Sequence, residues 1–111
     1  MAYNEKLAMR IRTALKGTRD LTEKKMFGGL SFLHRGNMCC GIIGNRLMVR
    51  VGPERYQAAL RSRHTRPMDF TGRPLTGYLY VMPAGYATKR QLSRWLGDGM
   101  SFARTLPRKK R

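Results

Sequence analysis

The sequence predicts a two-layer α+β protein, with helices packed on one antiparallel β-sheet. The expected order is helix, three strands, helix, two strands, helix (α-β3-α-β2-α). Three observations carry this expectation. Residues 4–16, and those from Thr88 onward, place apolar side chains at helical spacing. Between them lie short apolar runs at 30–35, 38–43 and 46–51, separated by Gly36-Asn37 and Gly44-Asn45. Gly and Asn tolerate positive φ, so such pairs mark hairpins and make the runs an antiparallel meander.

Each element follows from its own pattern. In the first helix, Tyr3, Leu7, Ile11, Ala14 and Leu15 share one side, while Glu5, Arg12 and Lys16 take the other. Asn4 is a suitable N-cap and Gly17 a suitable stop. Residues 18–23 read as a polar connection, and Gly28-Gly29 as a bend or bulge before the first run. In that run Leu30, Phe32 and His34 share a face opposite Leu33. The second run is apolar both ways: Met38, Cys40 and Ile42 on one face, Cys39 and Ile43 on the other. A strand of that kind needs cover on both sides. Helices on one face leave the other open, so a homodimer packed through that face is one expected arrangement. In the third run Leu47, Val49 and Val51 alternate with Met48 and Arg50.

Gly52-Pro53 opens a short second helix, because proline at the first helical position lacks only an N–H that has no partner there. Tyr56, Ala59 and Leu60 form its inward stripe. Residues 61–77 are irregular, punctuated by Pro67, Gly72, Pro74 and Gly77, with a short strand at Met68-Asp69-Phe70 and a clearer one at 78–82. Thr88 starts the last helix and Gln91 completes a capping box. Leu92, Trp95, Leu96, Phe102, Ala103 and Leu106 point inward; Arg90, Arg94, Ser101 and Arg104 point away, and Gly97 and Gly99 weaken the helix. One domain, 1–106, is expected, followed by a disordered basic tail, 107–111.

Charge is the unusual part of the composition. Lys and Arg total 23 against 6 Asp and Glu, a net +17, and the terminal Arg108-Lys109-Lys110-Arg111 accounts for only four of these charges. Such a chain is drawn to polyanions: DNA, RNA, an acidic protein or an anionic membrane surface. No apolar run approaches the ~20 residues of a membrane helix, and the N-terminus lacks the apolar stretch of a signal peptide. A cytoplasmic protein with no membrane segment is expected. The two cysteines are adjacent, Cys39-Cys40, and close no loop. In a regular strand they point to opposite faces and read as reduced structural thiols.

Catalysis finds little support. Two His and six acidic residues show no HxxxH, CxxC or Gly-x-Ser-x-Gly spacing. His34, Cys39, Cys40 and His64 form no standard zinc pattern, so neither metal nor cofactor is expected. Arg50, Asp69 and Arg73 suggest a small polar pocket; the alternative is that Asp69 pairs with one arginine and holds the irregular segment. Basic elements are better candidates. Arg90, Arg94 and Arg104 on one helical face are candidates to follow a phosphate backbone or an acidic partner. Arg61, Arg63 and Arg66 make a second patch, and Arg108, Lys109, Lys110 and Arg111 a salt-sensitive tether. The alternative is a solvated surface that keeps the protein soluble. No aromatic series interleaves with these charges and no helix-turn-helix pattern is visible, so nucleic-acid binding would rest on charge alone.

Several stretches resemble the TfoX N-terminal domain of the TfoX/Sxy competence regulators. They are Lys25-Met26-Phe27-Gly28-Gly29, Asn37-Met38-Cys39-Cys40-Gly41, Leu47-Met48-Val49-Arg50-Val51-Gly52-Pro53, Arg66-Pro67-Met68-Asp69-Phe70-Thr71-Gly72-Arg73-Pro74, the strand 77–81, and Ala103-Arg104-Thr105-Leu106-Pro107. The resemblance implies the same α+β order and a regulator that works with a transcription activator rather than an enzyme. It supplies no catalytic residues. The longer regulators carry a second, helical C-terminal domain; this sequence ends at Arg111, which sets the expectation of a stand-alone N-terminal domain. Three functional readings follow. The first is a non-enzymatic regulatory protein acting through a protein partner such as transcription machinery. The second is a direct, non-sequence-specific nucleic-acid binder. The third is a small-ligand protein or enzyme.

Overall fold

A computed structural model describes residues 3–26, 28–69, 72 and 74–108. The elements in chain order are α1 (Glu5–Ala14), β1 (Leu21–Met26), β2 (Gly29–His34), β3 (Asn37–Ile43), β4 (Arg46–Arg50), α2 (Pro53–Leu60), β5 (Thr65–Asp69), β6 (Pro74–Val81), a 3₁₀ turn (Pro83–Gly85) and α3 (Lys89–Ala103). The fold class is the expected one. The order differs by one strand, because β1 takes up the second half of the stretch read as a polar connection and runs on to Met26. Its sequence, Leu-Thr-Glu-Lys-Lys-Met, is exposed from Thr22 to Lys25, since β1 lies at the edge of the sheet. It has no apolar face to bury and hence no period-two signal. Backbone pairing holds it to β2, from Leu21 opposite His34 to Met26 opposite Gly29.

All six strands form one sheet in the order β1-β2-β3-β4-β6-β5, and every neighbouring pair is antiparallel. β4 and β5 therefore run parallel, with β6 between them and α2 as the crossover. The β2–β3 turn has positive φ at Arg35 (52°) and Gly36 (82°), the two central residues of a primed hairpin turn. It falls one residue earlier than Gly36-Asn37.

The helices cover one face. α3 lies on β3 and β4, α2 lies on β6 and β5, and α1 packs beside α3. Leu7 and Ile11 of α1 and Leu92, Trp95 and Leu96 of α3 meet Phe32, Ile42, Leu47, Val49, Leu79 and Val81 of the sheet in the main core. Both long helices are capped as expected. The Asn4 side chain accepts from the Leu7 N–H, and Thr88 and Gln91 close both hydrogen bonds of a capping box.

Gly99 explains one mid-helix glycine. A Cβ at this position would stand 2.3 Å from the Cys39 carbonyl oxygen, so its absence lets α3 seat directly on the β3 backbone. Gly97 faces open space.

The other face of the sheet carries a second, smaller core of Met38, Met48, Met68 and Tyr80, with Leu33, Ile43, Leu75 and Tyr78 packed around it. Met48 and Met68 are completely buried, and the Arg46 guanidinium covers the Tyr80 ring at 4.3 Å. Flexible methionine side chains and a capped tyrosine thus bury one another within a single chain. The expectation of a homodimer rested on this face being open. Among the described residues no helix is long and apolar enough to cross a membrane.

Candidate functional site

α3 is the middle helix of its layer, which fixes where its outer face points. Arg90, Arg94 and Arg104 are four and ten residues apart, so at 100° per residue they lie within an arc of about 80° on one helix face. All three are exposed, as are Gly97 and Ser101 between them. Arg94 and Arg104 are separated by about 15 Å of helix rise. The row is basic at both ends and low in the middle.

Few acidic groups are available to neutralise it. Arg12 pairs with Glu23 (2.7 Å), Arg35 and Arg108 share Asp20 (3.4 and 3.6 Å), and Arg55 meets Asp98 (3.5 Å). Among the described residues, none of Arg90, Arg94, Arg104, Arg61, Arg63 and Arg66 takes part in a salt bridge. Arg94 rests over the Trp95 ring at 5.7 Å, which holds its stem against the helix and leaves the guanidinium at the surface.

The other basic candidates divide. Arg61 and Arg63 lie in the turn from α2 to β5. That turn packs beside the 3₁₀ turn, where the Met82 N–H donates to the His64 carbonyl (2.7 Å), near the start of α3. Arg66 does not join them. It stands opposite Tyr80 in the β5–β6 ladder and shares the sheet face of the second core. Arg108 is held by Asp20, and the preceding Pro107 carbonyl accepts from the Asn37 side chain (2.8 Å). The start of the expected tail is therefore anchored; Lys109, Lys110 and Arg111 lie outside the described residues.

The polar pocket does not assemble among the described residues. The Arg50 guanidinium lies near the rings of Tyr78 and Phe102, 5.1 and 5.2 Å from their centroids. No hydrogen bond or salt bridge joins it to the exposed Asp69 among the described residues, and Arg73 lies outside them. His34 is buried beneath the C-terminal end of α3, and its Nδ1 has no hydrogen-bond partner among the described residues. Burial, then Arg35 and Arg104, push its pKa below the ordinary imidazole value, so it is neutral at neutral pH. Ser31, also without a partner, sits on the opposite sheet face, so the two form no catalytic pair. No group of three His, Cys, Asp or Glu among the described residues is placed to hold a metal ion.

The cysteines correct a sequence-based expectation. Phe32 pairs with Cys40 and Leu33 with Met38, which leaves Cys39 as an extra residue in β3, a β-bulge. The bulge turns both cysteines into the helix-side core, with their sulfurs 3.8 Å apart. Regular alternation would have separated them, and nothing in the local sequence announces the bulge.

No curated protein and no solved structure matches this chain. A family model does match: that of the TfoX N-terminal domain, over residues 13–103. The matched span runs from the end of α1 to the last residue of α3 and takes in the whole sheet, so the chain belongs to the TfoX N-terminal domain family.

Proposed function

We propose that this chain is a non-enzymatic regulatory domain that docks on an acidic protein partner of the transcription machinery through the outer face of α3. The family suggests a competence-regulator-like role. The observation that carries the reading is the row Arg90, Arg94 and Arg104, exposed and outside every salt bridge among the described residues, while Asp20, Glu23 and Asp98 are engaged elsewhere. Three cations on a helix with Gly97 and Ser101 at its centre allow close approach of a partner surface. Charge at the ends then sets orientation and speeds encounter.

The test is binding of the full chain and an Arg90→Gln/Arg94→Gln/Arg104→Gln variant to purified RNA polymerase holoenzyme. Binding that weakens at least about tenfold in the variant supports the reading, since three charge-assisted contacts of roughly 0.5 kcal/mol each amount to that factor. Equal binding by both, or none by either, overturns it.

The net charge of +17 favours a second reading, direct contact with nucleic acid. Three phosphate contacts contribute roughly −2.7 to the log–log salt slope on duplex DNA. Duplex binding that survives near-physiological salt, and loses that slope in the variant, would select this reading. Repeating the series on a 1–106 truncation separates the folded face from the tail.

A further inference from the structure

We propose that the Cys39–Cys40 bulge is a modification site, a vicinal dithiol that a small hydroperoxide closes into a reversible disulfide. The geometry carries this. Adjacent cysteines in a regular strand point to opposite faces, and neither can reach the other's sulfur. Here the bulge puts both on the helix side with sulfurs 3.8 Å apart, one short movement from the ~2 Å of a disulfide. Cys39 is the extra residue of the bulge, so the backbone that must adjust is already outside the regular ladder.

The surroundings select the oxidant and the order of events. Both thiols are buried, so large disulfide reagents are excluded and a water-sized hydroperoxide is the class that can enter on local opening. The contact between the two thiols favours the thiolate at Cys39, with Arg104 adding to the effect, whereas the Cys40 thiol is pushed well up by the same contact and by burial. Cys39, the bulge residue outside the regular ladder, is the sulfur that a local opening frees first, and it is the attacking one.

Its thiol gives up a proton, and the thiolate sulfur forms a bond to one peroxide oxygen. The O–O bond breaks, and the departing hydroxide takes the proton and leaves as water. Cys39 is then a sulfenic acid. The Cys40 sulfur attacks the Cys39 sulfur, the S–O bond breaks, and the hydroxyl leaves as water with the Cys40 proton. Two thiols are oxidised to one disulfide, and one hydroperoxide is reduced; hydrogen peroxide gives two waters. The ring spans neighbouring residues, whose Cα atoms are closer than in ordinary disulfides. The bond is therefore strained and readily reduced.

The experiment treats the folded full-length chain with hydrogen peroxide and follows tryptic peptide 36–46, which holds both cysteines. The expected result is simultaneous loss of both thiols, a mass lower by two hydrogens in that peptide, and full reversal by dithiothreitol. Cys40→Ser should yield a Cys39 sulfenic acid that dimedone traps, and Cys39→Ser should react about tenfold more slowly or less. Two outcomes overturn the proposal. One is that both thiols of the folded wild-type chain survive peroxide that oxidises the urea-unfolded chain. The other is that oxidation gives a sulfinic acid or a link between chains in place of the internal bond.

Discussion

Gly97 and Gly99 sit two residues apart in α3 and should respond to alanine in opposite ways. Each substitution removes the same backbone freedom and gains about 1 kcal/mol of helix propensity. At position 97 the new methyl group meets nothing within 4 Å, so the gain stands. At position 99 it would lie 2.3 Å from the Cys39 carbonyl oxygen and 3.2 Å from the carbonyl carbon. These are backbone atoms of a central strand and have no rotamer to change. α3 must lift by about 1 Å, at the upper end of the ~1–3 kcal/mol cost of overpacking. The net expectation is a gain of about 1 kcal/mol for Gly97→Ala and a loss of about 2 kcal/mol for Gly99→Ala. At roughly 4 °C per kcal/mol, the two melting temperatures should differ by about 12 °C. Urea unfolding followed through the single tryptophan, Trp95, reads the same difference. A Gly99→Ala variant as stable as Gly97→Ala would refute the close seating of α3 on β3.

Thr88→Ala removes the side-chain acceptor of the capping box and should cost about 1 kcal/mol in urea unfolding. Met68→Ala should cost about 2–5 kcal/mol; a loss under about 1 kcal/mol would mean that the second sheet face is not packed in solution. His34 has a folded-state pKa below its ordinary value of 6.5, so the unfolded chain binds the proton first as pH falls. Its contribution is complete above that ordinary value and is lost as pH drops toward the folded one. Wild type should therefore lose more stability than His34→Gln between about pH 7.5 and 5.5, and parallel pH profiles would exclude the effect.

The parts of the fold that were legible in the sequence are those that send apolar side chains into a core. α1, α3 and strands β2 to β4 each have one face in the main core, so their apolar residues repeat at the period of the element. Asn4, Pro53 and the Thr88/Gln91 pair marked the helix starts because capping is a local matter. β1 was missed because it is held mainly by backbone pairing and its exposed side chains obey no period. β6 begins at Pro74, ahead of the expected residue 78, as the irregular segment leads straight into the ladder with β5. The arginine stripe of α3 could be read from helical spacing. The separation of Arg66 from Arg61 and Arg63 could not, because it depends on which face β5 presents. The meeting of Cys39 and Cys40 depends on a bulge set by the pairing of two strands, a tertiary property with no local signature.

The two edges of the sheet bear on how this protein behaves at high concentration. An edge strand offers free N–H and C=O groups to any other extended chain. On one side β1 surrounds those groups with Glu23, Lys24 and Lys25, all exposed, and charged side chains on an edge discourage a further strand. On the other side β5 carries the exposed Pro67, which has no N–H to donate. Together with the net charge of +17, these features disfavour the addition of a further strand at either border. The chain should stay dispersed when concentrated or refolded.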